Sequence, residues 1–344
     1  MADPVKVLVT GASGPIAYSL LPRIASGEVF GRQQPVFLVL MDLPTMWGVL
    51  SGVAMELQDC AFELLQGVTV TDRDDVAFRD VDVAVLLGAM PKAQSVENND
   101  QFKCSVQILR SQGKALDTYA KKTVKVLAVG SPANTNCLVA MMSAPSIPPA
   151  NFSCLTRLDQ NRAQARLALA LGTGARAVRN VIVWGNSSGM LHPDFEHAMV
   201  TCDSRPFRLP GGSVTVRHFL VGQAARQRGE TMMGCAMSVV SAICDHLRAL
   251  WSGTQEGELL SMGVLSNGNS YGVPEQLIYS FPVSVKDGNW QIVPGLRVSD
   301  DSRLRMAQSA RELVKERERA LRALVTSESF ILGPNRLIGD SEPS

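Results

Sequence analysis

The hydrophobic positions fall into two textures along the chain. In the first part, short runs that are apolar nearly throughout alternate with helical patterns. Val5–Thr10, Val36–Asp42, Val81–Gly88 and Val124–Gly130 are such runs, and Ile16–Ile24 and Ser105–Tyr119 carry helical spacing. A strand apolar on both faces is buried on both faces, so these runs predict a parallel sheet covered by helices on each side. That is the doubly wound α/β (Rossmann) pattern, predicted here over residues 1–150.

The later texture is different. Helical patterns over 160–171, 237–251 and 301–324 alternate with strands expected near 257–264, 278–285 and 290–292. This predicts a second, α+β domain over 151–333, with a boundary at 145–155 where Ala144-Pro-Ser-Ile-Pro-Pro149 interrupts the helical pattern. Asn180–Gly189 reads as an apolar strand entering a polar loop. Thr201–Gly212, rich in Pro and Gly, reads as loop, and 334–344 as a polar tail.

Composition narrows the class. The 344 residues are 46% hydrophobic and 19% charged, as expected for a globular protein with a large core. A net charge of +1 gives no electrostatic case for nucleic acid or an anionic membrane. Seven cysteines without a CxxC pair predict reduced thiols, most of them core side chains, and no metal site. Neither a secretory leader nor an apolar run of roughly 18 residues is present, which makes the cytoplasm the expected location.

The first candidate chemistry is a cofactor loop. Gly11-Ala12-Ser13-Gly14-Pro15-Ile16-Ala17 has the GxxGxxA form. Its first glycine permits a tight turn, its second lets backbone approach a pyrophosphate, and Ala17 lets helix and strand pack closely. Asp42 ends the second strand, where a carboxylate accepts both ribose hydroxyls and repels a 2′-phosphate. The expected cofactor is therefore NAD rather than NADP. Pro15 suits the first helical turn but lacks an N–H, removing one phosphate donor.

Longer stretches resemble the cytosolic-type malate dehydrogenases, NAD-dependent 2-hydroxy acid dehydrogenases. They include Ile16–Leu21, Met55–Cys60, Pro132–Cys137, Ser143–Pro148, Asn151–Asp159, Ile243–His246, Ser261–Val264 and Asn269–Pro274. The resemblance runs from about residue 5 to about 325, thinning between His197 and Met237, where the chain looks about one helical turn shorter than the family. It implies hydride transfer between L-malate and oxaloacetate, a step of malate metabolism and the tricarboxylic acid cycle. It also implies pairing of two subunits, with a second copy or a homologue, through helices that include 48–58. Besides the loop and Asp42, it implies cofactor contacts at Gly88, Ser105, Gln112, Val129, Gly130 and Ser131.

That reaction needs a general base for the hydroxyl proton, an aspartate to orient it, and arginines for the substrate's carboxylates. The resemblance puts the orienting aspartate at Asp159 and one arginine at Arg162. The other positions depart. Lys92 and Asn98 stand where the family has arginines, Ser131 and Ser105 where it has asparagines, and Ser187 where it has the histidine base. A serine hydroxyl does not exchange a proton near neutral pH. Lys92 keeps the charge but loses the bidentate fork, Asn98 is compatible with a changed substrate, and His192 is a candidate replacement base. Ser187 could also donate a hydrogen bond to Asp159.

Three readings stay open from sequence. One is a catalytically weakened or inactive relative that keeps NAD, a possible pseudoenzyme. Another is an active NAD-dependent 2-hydroxy acid dehydrogenase of altered substrate specificity; the resemblance implies a small dicarboxylic acid as substrate if the chain is active. The third is a non-enzymatic partner of an active homologue.

Overall fold

A computed structural model describes residues 2–88, 98–186, 191–202, 205–208 and 236–331. The first half builds β1 (Val5–Thr10), α1 (Pro15–Ala25), β2 (Val36–Met41), α2 (Trp47–Asp59), β3 (Leu65–Thr71), α3 (Asp74–Ala77) and β4 (Val83–Leu86). It continues with α4 (Asn98–Tyr119), β5 (Lys125–Ala128), α5 (Ala133–Met142) and β6 (Phe152–Cys154). The six strands pair in parallel in the order β3-β2-β1-β4-β5-β6, the Rossmann order.

Both faces of this sheet are buried, which explains the unbroken apolar runs. Val7 and Val9 of β1 pack with Leu20, Leu21 and Ile24 of α1 on one face. Leu8 packs with Val106, Leu109 and Leu116 of α4 on the other. Each such side chain contributes about 1.5–3 kcal/mol by leaving water. β3 is the edge strand and mostly half-buried, so it carries no comparable apolar run.

The second half builds α6 (Arg157–Ala170), β7 (Val178–Arg179), β8 (Ile182–Trp184), β9 (His192–Asp194), β10 (Met199–Cys202) and β11 (Arg205–Arg208). After the next described residues come α7 (Ala236–Ser252), β12 (Leu260–Leu265), β13 (Ile278–Lys286), β14 (Asn289–Ile292) and α8 (Asp300–Ile331). β12, β13 and β14 extend the same sheet antiparallel, joined where Gly263 pairs with Cys154 of β6. α7 packs on α1, so the two halves share one core.

One loop expectation is corrected. Residues within 201–212 form strand, because β10 and β11 pair antiparallel from Met199↔Arg208 to Cys202↔Arg205. Pro206 marked the stretch as loop, but among the described residues β11 is an edge strand, where proline is tolerated. The cysteine expectation is corrected in part. Cys137, Cys154 and Cys244 are buried, whereas Cys60 and Cys104 are exposed. Burial pushes the Cys137 and Cys154 thiols well up and the Cys244 thiol up to about 12.

α8 ties the layers together. Met306, Ala310 and Leu313 pack on β12 and β13, while Ala320 joins the cluster of α4 and α5. Near its end Arg319 lies 4.1 Å over the Phe102 ring of α4, and Gln107 donates to the Ala323 carbonyl at 3.2 Å. None of the described helices is long and apolar enough to cross a membrane.

Candidate cofactor and substrate site

The order β2-β1-β4-β5 makes a switch point between β1 and β4, beyond whose carboxyl ends a ligand crevice is expected. Most of the cofactor residues expected from sequence meet there. Gly11 has φ +64°, and a side chain on it would meet the Gly88 nitrogen at 3.3 Å. The Gly88 N–H donates to Thr10 Oγ1 at 3.4 Å. Val129 extends the β4–β5 ladder by donating to the Leu86 carbonyl at 3.0 Å, and Asn136 donates to the Gly130 carbonyl at 2.9 Å. Ser105 and Gln112 of α4 are buried, Ala12 and Ala17 fully so, and Ser131 and Pro15 are exposed.

These residues fit a dinucleotide. A Cβ on Gly14 would stand 3.3 Å from the Gly11 carbonyl oxygen, so glycine keeps the loop low. Within the loop the N–H groups of Ala12, Ser13 and Gly14 donate to Met41 O, Asp42 Oδ2 and Gly11 O at 3.2, 2.9 and 3.1 Å. Pro15 has none, so the first backbone donors open at the N-terminus of α1 are those of Ile16 and Ala17. Gln112 Oε1 is buried without a partner, its amide nitrogen 3.6 Å from where a Gly88 side chain would begin. An orphaned buried acceptor suits a ligand that brings a donor. Asp42 accepts from Ser13 Oγ at 2.6 Å and from the Leu43 N–H at 2.8 Å.

On the substrate side, α6 begins after β6 and carries Asp159 in its first turn, where a carboxylate complements the helix dipole. Arg162 lies one turn on, and its Nη1 donates to Asp159 Oδ1 at 3.4 Å. Lys92 and Ser187 lie outside the described residues, as does the stretch 209–235. Asn98 is the first residue of α4, with its side chain outside them too.

The strand that leads to Ser187 is firmly held. Val183 of β8 receives a hydrogen bond from Ser280 Oγ on its carbonyl at 2.7 Å and donates its N–H to Ser261 Oγ at 2.9 Å. Gly185 and Ser280 exchange backbone bonds of 3.3 and 2.9 Å, and Asn134 of α5 donates to Ile278 O at 2.9 Å and Gly185 O at 3.5 Å. Thr10, Asn134, Ser261 and Ser280 escaped the sequence reading. Thr10 and Ser280 lay inside predicted strands and Asn134 and Ser261 inside stretches of the resemblance, but a buried small polar residue carries no periodic signal of its own.

His192, the candidate replacement base, sits opposite Trp184 in the β8–β9 pair. Its ring is 5% exposed, and Nε2 is 2.9 Å from Ser302 Oγ of α8. That contact holds the ring against α8. Among the described residues no group of three His, Cys, Asp or Glu side chains could hold a metal ion.

Comparison with known proteins agrees with this geometry. Residues 5–153 match the family of the lactate/malate dehydrogenase NAD binding domain, and 156–207 with 224–323 match the lactate/malate dehydrogenase alpha/beta C-terminal domain. Human cytoplasmic malate dehydrogenase is 53% identical over 338 residues, covering 94% of this chain and 99% of that protein. The chicken cytoplasmic enzyme is 52% identical over 333 residues, 94% and 99% of the two chains. Trichomonas vaginalis lactate dehydrogenase in complex with NADH and oxamate superposes with a TM-score of 0.87 at 35% identity, covering 94% and 99%. Naegleria fowleri malate dehydrogenase gives 0.85 at 34%, also over 94% and 99%. The glycine loop at the switch point, the acid closing β2 and these matches over both halves have one account: the chain belongs to the lactate/malate dehydrogenase family, binds NAD through its first domain, and resembles the cytoplasmic malate dehydrogenases.

Proposed function

We propose that this protein is a cytoplasmic malate dehydrogenase relative that holds NAD but whose malate–oxaloacetate hydride transfer is strongly weakened or lost. Residues 1–150 act as the cofactor domain and 151–333 as the substrate domain. Gly11, Gly14, Ile16 and Ala17 approach the pyrophosphate, and Asp42 reads the adenosine ribose. Gly88, Ser105, Gln112 and Val129–Ser131 line the crevice. NAD supplies the hydride acceptor; the chain must supply the proton acceptor and the anion clamps.

The observation that carries this reading is Ser187. Its strand is anchored through Val183, Gly185, Ser261 and Ser280. A support intact up to Gly185 favours loss of the base itself over collapse of the strand leading to it. Loss of a general base costs about 10²–10⁴-fold in rate. Lys92, Asn98 and Ser131 add losses that need not multiply. Arg162 remains to hold a carboxylate of a small dicarboxylic acid.

The test is restoration. Ser187→His, Ser131→Asn, Lys92→Arg and Asn98→Arg together are expected to raise NADH-dependent oxaloacetate reduction by at least about 10²-fold. A wild-type rate already equal to that of the restored variant overturns the reading. Turnover of another 2-oxo acid by the wild type would replace it with the altered-specificity reading.

A second observation favours pairing of two copies. Tyr18, Trp47, Val49 and Met55 on α1 and α2 are 47–62% exposed. Tyr18 and Val49 line one open groove with Gly48, Gly52 and Val53, and exposed apolar side chains that lie together suit an association surface. It supports a homodimer built on the helix Trp47–Asp59.

A further inference from the structure

The cofactor loop contains a contact that acts on Asp42, the acid assigned to the ribose. We infer that the Ser13 hydroxyl is a latch on Asp42 that competes with the adenosine ribose and sets the protein's affinity for NAD. The inference rests on the assignment of Asp42 to the ribose.

An ionised carboxylate has about four acceptor positions, two on each oxygen. Three of those of Asp42 are taken by the protein's own donors. Oδ2 accepts both the Ser13 N–H at 2.9 Å and the Ser13 Oγ–H at 2.6 Å, and Oδ1 accepts the Leu43 N–H at 2.8 Å. A ribose donates two hydroxyls to a carboxylate, so it needs two positions where one is open. The two backbone donors are fixed by the chain path from Gly11 to Gly14 and by the residue after Asp42. Only the Ser13 hydroxyl can leave by rotation about its side-chain bond, without moving backbone.

Ribose binding and the Ser13–Asp42 bond are therefore alternatives. The hydroxyl–carboxylate contact is short and charge-assisted, the stronger class of hydrogen bond. Pro15 removes one donor from the nearby cradle and leaves the Ile16 and Ala17 N–H groups for the pyrophosphate, so the cradle does not act on Asp42 itself. Ser13 thus lowers affinity for any ligand carrying the ribose diol, and leaves ligands without it unaffected.

The test compares calorimetric titrations with ADP-ribose and with its analogue lacking the adenosine 2′-hydroxyl. Ser13→Ala keeps the N–H and removes only the hydroxyl. It is expected to bind ADP-ribose more tightly by roughly threefold to tenfold, the range of one net hydrogen bond. The gain for the deoxy analogue should be under about twofold, and Ser13→Thr, which keeps a hydroxyl, should match the wild type. In an Asp42→Asn background the gain from Ser13→Ala should vanish. Equal or weaker ADP-ribose binding by Ser13→Ala overturns the latch, as does an equal gain for both ligands. If Asp42→Asn alone leaves ADP-ribose affinity unchanged, the ribose assignment fails and the latch with it. If Asp42→Asn weakens binding while Ser13→Ala does not tighten it, only the latch fails. Thermal melts of each variant show whether the fold is kept.

Discussion

Arg162 and Asp159 face each other one turn apart on α6, with Nη1 donating to Oδ1 at 3.4 Å. Their side chains are 27% and 26% exposed, so water screens the pair. Such a pair is worth about 0–1 kcal/mol, weak enough to yield to a ligand carboxylate. Arg162 Nε is also buried without a partner, so this guanidinium retains an open donor.

Opposite effects on anion binding follow from that pair. Arg162→Leu is expected to weaken oxaloacetate binding to the NADH complex by at least about tenfold, the loss of one charge-assisted contact. Asp159→Asn removes the competing charge and is expected to tighten it by roughly twofold to fivefold. Quenching of NADH fluorescence by oxaloacetate measures both. A tightening by the arginine variant would show that the substrate carboxylate is held elsewhere.

Asn134 joins the two halves by bonding to Gly185, at the end of β8, and to Ile278 of β13. It is 2% exposed, and its amide serves the carbonyls of Ile278 and Gly185. Asn134→Leu removes the amide's bond to Ile278 O, while Gly185 O still accepts the Ser280 N–H, and is expected to destabilise the protein by about 1–3 kcal/mol. Chemical denaturation reads this directly, and an unchanged midpoint would mean that water replaces the amide.

His246 on α7 predicts an acid sensitivity. Burial, reinforced by the Arg157 charge, holds its imidazole at about 3, against 6.5 in an open chain. Nε2 lies 2.9 Å from Ser153 Oγ, and Nδ1 is buried without a partner. The unfolded chain takes up a proton below 6.5 that the folded protein refuses until about 3. Stability from this group is complete above pH 6.5 and is lost as pH falls through that window, by about 2 kcal/mol at pH 5. Denaturation at pH 7 and pH 5 should show this loss, and His246→Gln should reduce it. An identical slope in the variant would remove His246 as the cause.

The exposed face of α1 and α2 predicts self-association. The wild type should run as a dimer by light scattering. Trp47→Glu with Met55→Lys should shift it to the monomer mass, because a charge in an apolar interface loses hydration without a partner. A monomeric wild type at micromolar concentration would count against the paired reading.

Much of the sheet was legible in the chain, for a simple reason. Val5–Thr10, Val36–Met41 and Lys125–Ala128 are buried on both faces, and burial on both faces writes an unbroken apolar run. The edge strand Leu65–Thr71 was not legible, because half-burial leaves no such run. The hairpin of β10 and β11 was misread through Pro206, since composition does not distinguish a loop from a sheet edge. The glycine loop and Asp42 were legible as chemistry because their spacing is local. The supports of β8 were not, because Asn134, Ser261 and Ser280 come from three distant segments.

The sequence by itself determined the family and the parallel core, and it carries the proposal that Ser187 stands in place of a base, since these depend on residue identity and on short spacings. Tertiary structure decided what surrounds those residues. It put Ser13 on the carboxylate expected to read the ribose, although 29 positions separate them. It paired Asp159 with Arg162, and it bound His192 to Ser302 of α8, 110 positions away. Hydrogen bonds depend on distance and direction in space, and only the folded chain sets those.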